Sequence, residues 1–358
     1  MIVTITGIRP DFIRMKKIFE KLDDNFDHIM IHTGQHYDDE LSKIFFQELD
    51  IRRPDYVLES GKNSHTQYEQ LSYLSIAIPN LLKEKRIKPD LILFLGDSNS
   101  AMVSAPLFKE GYRIGHIEGG MRSYDRRMPE EVNRVICDYV SDYIFVYTPL
   151  YKQRLLEENK SPDSIFVVGN TIREIVEEYM PSGEKSRDYI VADIHRNENL
   201  SSLEQYDHIL QYINLVGEIT GLPVKIVKFN RAFKLIGGED YYKKYKNIDV
   251  VGPYGFLKYL DFQYRAYGVI SDSGTSQEEG PLLEVPVAVP RLFTERPESV
   301  ENGNSILVGE TNHIYEMADK TVNFFKNYSI NDGKKEWLGD GNTSEKIITI
   351  LREKLEKK

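Results

Sequence analysis

The sequence predicts an α/β protein built as two doubly wound halves, each around a parallel sheet. Three observations carry this. Short runs rich in Ile, Val and Phe alternate with longer amphipathic stretches, the strand–helix alternation of βαβ units. That alternation stops at the polar, turn-rich stretch Met180-Pro181-Ser182-Gly183-Glu184-Lys185-Ser186-Arg187, a linker, and then restarts. The chain has 358 residues, enough for about two compact units of ~100–200 residues.

In the first half, Ile2–Thr6, His28–His32, Leu91–Leu95, Arg113–Ile117, Tyr143–Tyr147 and Phe166–Val168 read as buried strands. Phe12, Met15, Phe19 and Leu22 recur at the spacing of one helix face, as do Tyr68, Leu71, Leu74 and Ile78. In the second half the strands are Tyr189–Ile194, Val224–Phe229, Ile248–Val251, Gly268–Ser271, Val285–Val289 and Ile306–Val308. Ser344–Leu355 is a helix with an apolar face. The predicted organisation is residues 1–175, residues 176–342, and a final segment 343–358 that packs back on the first domain. Ligands of such sheets sit beyond the carboxyl ends of the strands. Two facing halves place a site in the cleft between them, with closure around the ligand.

Composition excludes several classes. Hydrophobic residues make up 41% and charged residues 28%, a globular mixture. No apolar run approaches the ~20 residues of a membrane span. The amino terminus reads as a strand and not as a signal sequence. One cysteine, Cys137, forbids an internal disulfide and a Cys-rich zinc site. A net charge of −10 and a pI of about 5.4 argue against nucleic acid. A small anion in a local basic pocket remains compatible. The expectation is a cytoplasmic enzyme or ligand-binding protein.

The chemistry-bearing residues cluster at predicted strand ends. Gly7-Ile8-Arg9-Pro10 leaves the first strand, and Arg9 and Arg14 offer guanidinium forks that match phosphate oxygens. A dinucleotide G-x-G-x-x-G is absent. Gly96-Asp97-Ser98 leaves another strand; Asp97 is either a helix N-cap or a functional carboxylate. The same tripeptide opens the nucleophile block of some esterases, but its mid-domain position and the lack of a late Asp-x-x-His argue against that. His116-Ile117-Glu118-Gly119-Gly120-Met121-Arg122 is the densest polar cluster, followed by Pro129-Glu130-Glu131, whose carboxylates suit a first helical turn. His116-x-Glu118 has no Pro-Cys-x-x-Cys partner, which excludes a zinc deaminase. His195, beside Arg196, is placed for proton transfer near neutral pH. Ser271-Asp272-Ser273-Gly274-Thr275 is a small-residue turn before a helix, suited to phosphate. Glu279 lies one turn further on, and Arg296 supplies another cation.

These blocks resemble, in order and over nearly the whole chain, the non-hydrolysing UDP-N-acetylglucosamine 2-epimerases. The resemblance rests on Gly-Ile-Arg-Pro, Thr33-Gly34-Gln35-His36, Gly96-Asp97-Ser98-Asn99-Ser100, His116 to Arg122, Pro129 to Arg134, Val168-Gly169-Asn170-Thr171, His195-Arg196-x-Glu198-Asn199, Ser271 to Glu279 and Glu295-Arg296-Pro297-Glu298. It implies a glycosyltransferase-B-like pair of Rossmann-like domains. It implies a reaction in which UDP leaves C1 as C2 is deprotonated, giving a 2-acetamidoglucal, and then adds back after protonation on the other face. It implies no metal or nicotinamide cofactor, a UDP-linked amino sugar as substrate, and a homodimer. By position, Asp97, Glu118 and Glu130 match the catalytic carboxylates and His195 the essential histidine. Arg9, Arg14, Gln35, Arg122, Arg196, Phe256, Ser273, Gly274, Thr275, Glu279 and Arg296 match substrate or UDP contacts, with Phe256 beside the uracil.

Departures bear on the sugar. Arg14 replaces the usual lysine, Ser273-Gly274-Thr275 replaces Ser-Gly-Gly, and the Glu118–Pro129 connection is short. Val227-Lys228-Phe229-Asn230 stands where a histidine is usual. Thr33–Tyr56, with Phe45-Phe46, looks more like relatives acting on 6-deoxy-L-hexosamines or 2,3-diacetamido sugars. The rival readings are a hydrolysing epimerase that releases UDP, a glycosyltransferase of the same fold, and a UDP-sugar-binding regulator without turnover.

Overall fold

A computed structural model describes residues 1–35, 46, 48–125, 128–310, 313–329 and 332–355. His36 and Phe45, which carry part of the resemblance, lie outside the described residues. The chain divides into two compact units, Met1–Ile175 with Leu338–Lys358, and Val176–Trp337. Both are parallel sheets flanked by helices, as the strand–helix alternation predicts.

The first unit contains β1 (Ile2–Thr6), β2 (His28–His32), β3 (Tyr56–Val57), β4 (Leu91–Leu95), β5 (Ile114–Ile117), β6 (Tyr143–Val146) and β7 (Ile165–Val167), in the order β3-β2-β1-β4-β5-β6-β7. β1 pairs with β2 on one side and β4 on the other, Ile2 opposite His28 and Leu91. The winding therefore reverses between β1 and β4, the switch point at which such sheets bind ligands. The helices, numbered over the described residues, are α1 (Arg9–Asn25), α2 (Gln67–Glu84), α3 (Ser104–Lys109), α4 (Pro129–Val140), α5 (Pro149–Glu157) and α6 (Thr171–Glu178). The division between units falls within α6. β3 is the strand that the sequence reading passes over. Two residues are too few to show alternation, and backbone bonds of Leu58 to His32 and of Asp55 to Met30 define it instead.

Local chemistry explains the helices. α2 begins with a capping box: Glu69 N–H donates to Thr66 Oγ1 while the Glu69 carboxylate accepts from Thr66 N–H. α1 starts at Arg9-Pro10, and proline at the first turn gives up no intrahelical bond. Its Phe12, Met15, Ile18, Phe19 and Leu22 are buried.

The second unit contains β8 (Ile190–Asp193), β9 (Val224–Val227), β10 (Ile248–Val251), β11 (Gly268–Ser271), β12 (Val287–Val289) and β13 (Ser305–Leu307), in the order β10-β9-β8-β11-β12-β13. Its switch point lies between β8 and β11, where Ser271 stands opposite Asp193. The helices are α7 (Leu203–Thr220), α8 (Asn230–Ile236), α9 (Phe256–Tyr264), α10 (Gly274–Leu283), α11 (Pro297–Glu301) and α12 (Ile314–Asn327). The stretch Met180–Arg187 carries no helix or strand, yet it is fastened to this unit. Arg265 donates to the carbonyls of Ser182 and Glu184, and Lys185 pairs with Glu284 at 2.8 Å.

The chain returns to the first unit at Leu338, whose carbonyl accepts from Asn170 N–H at 2.9 Å. The last helix, α13 (Thr343–Leu355), packs on α1 with Ile347, Ile348 and Leu351 buried. Leu351→Ala is expected to destabilise the protein by ~2–5 kcal/mol, the usual penalty of a fully buried Leu→Ala cavity, read as a lower urea midpoint for the first unit. No described helix is long and apolar enough to cross a membrane.

Candidate active site

At the first unit's switch point, β1 runs into Gly7. A Cβ there would stand 2.3 Å from Ser100 Oγ and 2.6 Å from Ser98 Oγ, so only glycine lets the turn after β4 approach the turn after β1. Gly7 and Ile8 N–H both donate to Asp11 Oδ2, at 2.7 and 3.1 Å. Asp11 thus caps α1 from inside, and Arg9, the first residue of that helix, is half-buried. Burial, opposed by these two N–H groups and reinforced by the charges of Asp97 and Glu118, pushes the Asp11 carboxyl up to about 7. Gln35 follows β2; its N–H donates to Gly7 O at 3.1 Å, and its buried Oε1 faces the same turn without a described partner.

Asp97 follows β4. It forms an ion pair with Arg134 of α4, a side chain 1% exposed, while Asn133 Nδ2 donates to the Asp97 carbonyl at 2.7 Å. Glu118 follows β5 with φ +74°, the left-handed region that a non-glycine residue rarely adopts and that marks strained functional sites. Its Oε2 accepts from Tyr147 OH at 3.4 Å and lies 3.7 Å from Arg14 Nη1. The charges of Asp97 and Glu118 both reach Asp11. Glu130 is half-buried in the first turn of α4. Its neighbour Glu131 is structural: it accepts from Ser123 N–H, Ser123 Oγ and Tyr124 N–H.

Two predicted anion ligands are held by carboxylates of their own unit. Arg14 is buried, and its guanidinium serves Glu118 and, at 3.5 Å, Asn170 Oδ1. Arg122 is 2% exposed and gripped by both oxygens of Glu158, by Asp138 Oδ2 at 2.8 Å and by its neighbour's carbonyl. That guanidinium is engaged by two carboxylates and a carbonyl. It is a buttress for the Gly119-Gly120 turn.

In the second unit, His195 follows β8. Its Nδ1 lies 2.8 Å from Asp193 Oδ1 and 3.5 Å from Asp272 Oδ1. Burial opposes a charge on the ring, and the Asp193 and Asp272 carboxylates outweigh it, so its pKa is raised. Asp193, His195 and Asp272 are also the one described group spaced like metal ligands. Their oxygens are already in use: Tyr259 OH donates to Asp193 Oδ2 at 2.8 Å, and Asp272 accepts from the N–H groups of His195 and Arg196 and from Asn199 Nδ2. The arrangement orients an imidazole, with Nδ1 turned inward.

Beside it, β11 opens through Asp272 and Ser273 into α10, whose Gly274 and Thr275 form the first turn. A Cβ on Gly274 would meet Arg296 Nη1 at 2.1 Å. The guanidinium therefore lies flat on the turn, held by Glu278 at 2.8 Å. A positive helix end with a cation stacked against it suits a diphosphate. Gly274→Ala is expected to weaken binding of a diphosphate ligand about tenfold, roughly the loss of one charge-assisted hydrogen bond, measured by calorimetry. Glu279 is buried and oriented by Gln263 Nε2 at 2.8 Å, and Phe256 is buried at the start of α9.

The sequence reading missed Asp11, Arg134, Tyr147, Asp193 and Tyr259 as parts of these sites. Asp193 and Asp11 carry a readable signal, each a carboxylate within four residues of a candidate group. Arg134 and Tyr147 reach their partners only through the fold.

The sequence profile of the UDP-N-acetylglucosamine 2-epimerase family matches residues 20–352. The UDP-N-acetylglucosamine 2-epimerase of Methanocaldococcus jannaschii is 36% identical over 372 residues, covering 97% of each chain. The crystal structure of the M. jannaschii UDP-GlcNAc 2-epimerase with UDP-GlcNAc and UDP superposes with a TM-score of 0.88 at 33% identity, covering 98% of this chain and 99% of that one. The UDP-2,3-diacetamido-2,3-dideoxy-D-glucuronate 2-epimerase of Pseudomonas aeruginosa is 33% identical over 331 residues, covering 89% of this chain and 91% of that one.

Proposed function

Because this chain belongs to the UDP-N-acetylglucosamine 2-epimerase family, we propose that it interconverts UDP-GlcNAc and its C2 epimer by eliminating and re-adding UDP. One observation carries the reading: the residues on which the family resemblance falls gather at the switch point of each sheet. Beyond β4 and β5 the first unit presents Asp97 and Glu118, with Glu130 nearby in sequence on α4. Beyond β8 and β11 the second presents His195 and the Ser273-Gly274-Thr275 turn under Arg296.

The C2 hydrogen is not adjacent to a carbonyl, so its removal needs departure of the C1 substituent. A base and an acid on opposite sides of the ring meet that need, each contributing ~10²–10⁴-fold. Asp97, Glu118 and Glu130 form the acid–base set, and Arg9 contacts the nucleotide phosphates. The charged His195, with Arg196, stabilises the negative charge that develops as UDP leaves. Ser273, Gly274, Thr275 and Arg296 hold the diphosphate, Glu279 the ribose and Phe256 the uracil, while Gln35 borders the carboxylate site. The substrate supplies the leaving group and nucleophile, so the chemistry calls for no redox cofactor.

The test is turnover of UDP-GlcNAc in D₂O followed by NMR. Deuterium entering C2 of both epimers is the expected result; its absence from every UDP-2-acetamido sugar tried would refute the reaction. UDP released in step with product would instead indicate a hydrolysing epimerase. The P. aeruginosa relative supports a second reading, a 2,3-diacetamido substrate, and the same assay with that sugar nucleotide decides between them.

A homodimer is part of the proposal. On α4 a face turned about 100° from Glu131, Arg134 and Asp138 exposes Val132, Val135 and Tyr139, a stripe at i, i+3 and i+7. Val135→Glu is expected to convert dimer to monomer in light scattering. The cytoplasm suits a chain whose one cysteine, Cys137, is buried and outside any disulfide.

A further inference from the structure

β5 delivers Glu118 at its end and carries His116 two residues earlier, fully buried. His116 Nδ1 lies 2.7 Å from Asp138 Oδ1, and Nε2 lies 2.8 Å from the Gly96 carbonyl oxygen. A carbonyl oxygen accepts only, and so does an ionised carboxylate. Both ring nitrogens therefore carry protons. Asp138 has its own reasons to be ionised: Oδ2 accepts from Gly120 N–H at 3.0 Å and pairs with Arg122 Nη1 at 2.8 Å. Arg122 is held in turn by Glu158, which is exposed to solvent. Burial opposes charging the ring, and Cys137 and Asp138 beside it outweigh burial, so its pKa stands well above the ordinary value.

This cation joins the two turns that carry the carboxylates. Gly96, with φ +70°, immediately precedes Asp97. Its N–H donates to Ile117 O at 3.0 Å and its carbonyl accepts from His116, so β5 holds the peptide groups on both sides of the Gly96 Cα. Gly120, two residues after Glu118, is pinned by the other oxygen of the same Asp138 that holds the ring. We infer that His116 is a positioning residue: a permanent imidazolium that sets the spacing of Asp97 and Glu118 and transfers no proton in the reaction. The inference rests on the epimerase reading of these carboxylates.

Histidine ring-¹⁵N NMR tests it on the intact protein, with the His116 signal assigned by its loss in H116Q. The expected result is a ring protonated on both nitrogens at every pH at which the protein is folded. A ring that releases a proton within that range overturns the inference. H116Q, which retains a side-chain N–H donor, and H116N are then compared with wild type in kcat, in KM for UDP-GlcNAc and in UDP affinity. The expected result is a kcat about 10²-fold lower, the effect of misplacing a reacting group by about 1 Å, with KM and UDP affinity unchanged. A lower melting midpoint with kcat per folded molecule intact would make His116 merely structural and overturn the inference. If wild type itself fails to epimerise any sugar nucleotide, the proposed function has failed. The inference then stands or falls on the NMR result and on a crystal structure of H116Q, in which the Gly96–Asp97 turn should move relative to Gly120; unmoved turns would refute it.

Discussion

Asp97→Asn is expected to lower kcat by ~10²–10⁴-fold, the worth of one positioned acid–base group, while UDP binds normally. Asparagine keeps the shape of the side chain and still accepts from Arg134, but it cannot take or return a proton. The turn proposed to hold the nucleotide lies on the other sheet, after β11, so its affinity reports that the second unit is intact. Stability should fall too, by ~1.5–3 kcal/mol, because Arg134 loses a charged hydrogen-bond partner. Glu131 Oε2, 3.4 Å from Arg134 Nη1, limits that loss. Urea denaturation separates the two effects. Activity within a few-fold of wild type, measured on folded protein, would remove Asp97 from the acid–base set.

The second large effect is at His195. His195→Asn is expected to lose ~10²–10³-fold in kcat, the scale of removing one group that stabilises developing negative charge. The more informative variant is Asp193→Asn, which leaves the imidazole in place and withdraws one of its two carboxylates. The pKa of His195 is raised in the wild type, so activity that needs the imidazolium falls as pH rises through that raised value. In Asp193→Asn the falling limb of kcat against pH should move to lower pH. A limb that does not move would mean that His195 acts neutral. The same shift carries a stability term. The folded state binds the His195 proton more tightly than the unfolded chain, whose histidine titrates near ~6.5. The contribution is therefore fully present below that value and is lost as pH rises through the folded pKa.

The parallel strands were legible because strands buried on both faces become continuous apolar runs; Leu91–Leu95 is buried throughout. The positions of Asp97, Glu118 and His195 followed from that, since each begins a turn after such a run. β3 was not legible, because pairing with β2 makes it a strand and its own two residues do not. Charges were read least well. Arg122 and Arg14 look like anion ligands in a one-dimensional string, and the carboxylates that hold them, Glu158 and Glu118, are 36 and 104 positions away in sequence. Asp193 looked like the end of a strand and became visible as a partner only once β8 and β11 lay side by side.

The chain's final crossing has a consequence for biogenesis. The apolar side of α1 is closed by α13, which is synthesised only after the whole second unit. Between Ile175 and Leu338 roughly 160 residues must be made, which at ~5–20 residues per second takes roughly 10–30 s. For that interval the amino-terminal sheet exists in the cell as an unfinished domain with a greasy flank. Synthesis rate and chaperone supply, more than the final stability of the enzyme, should set how much of it reaches the native state.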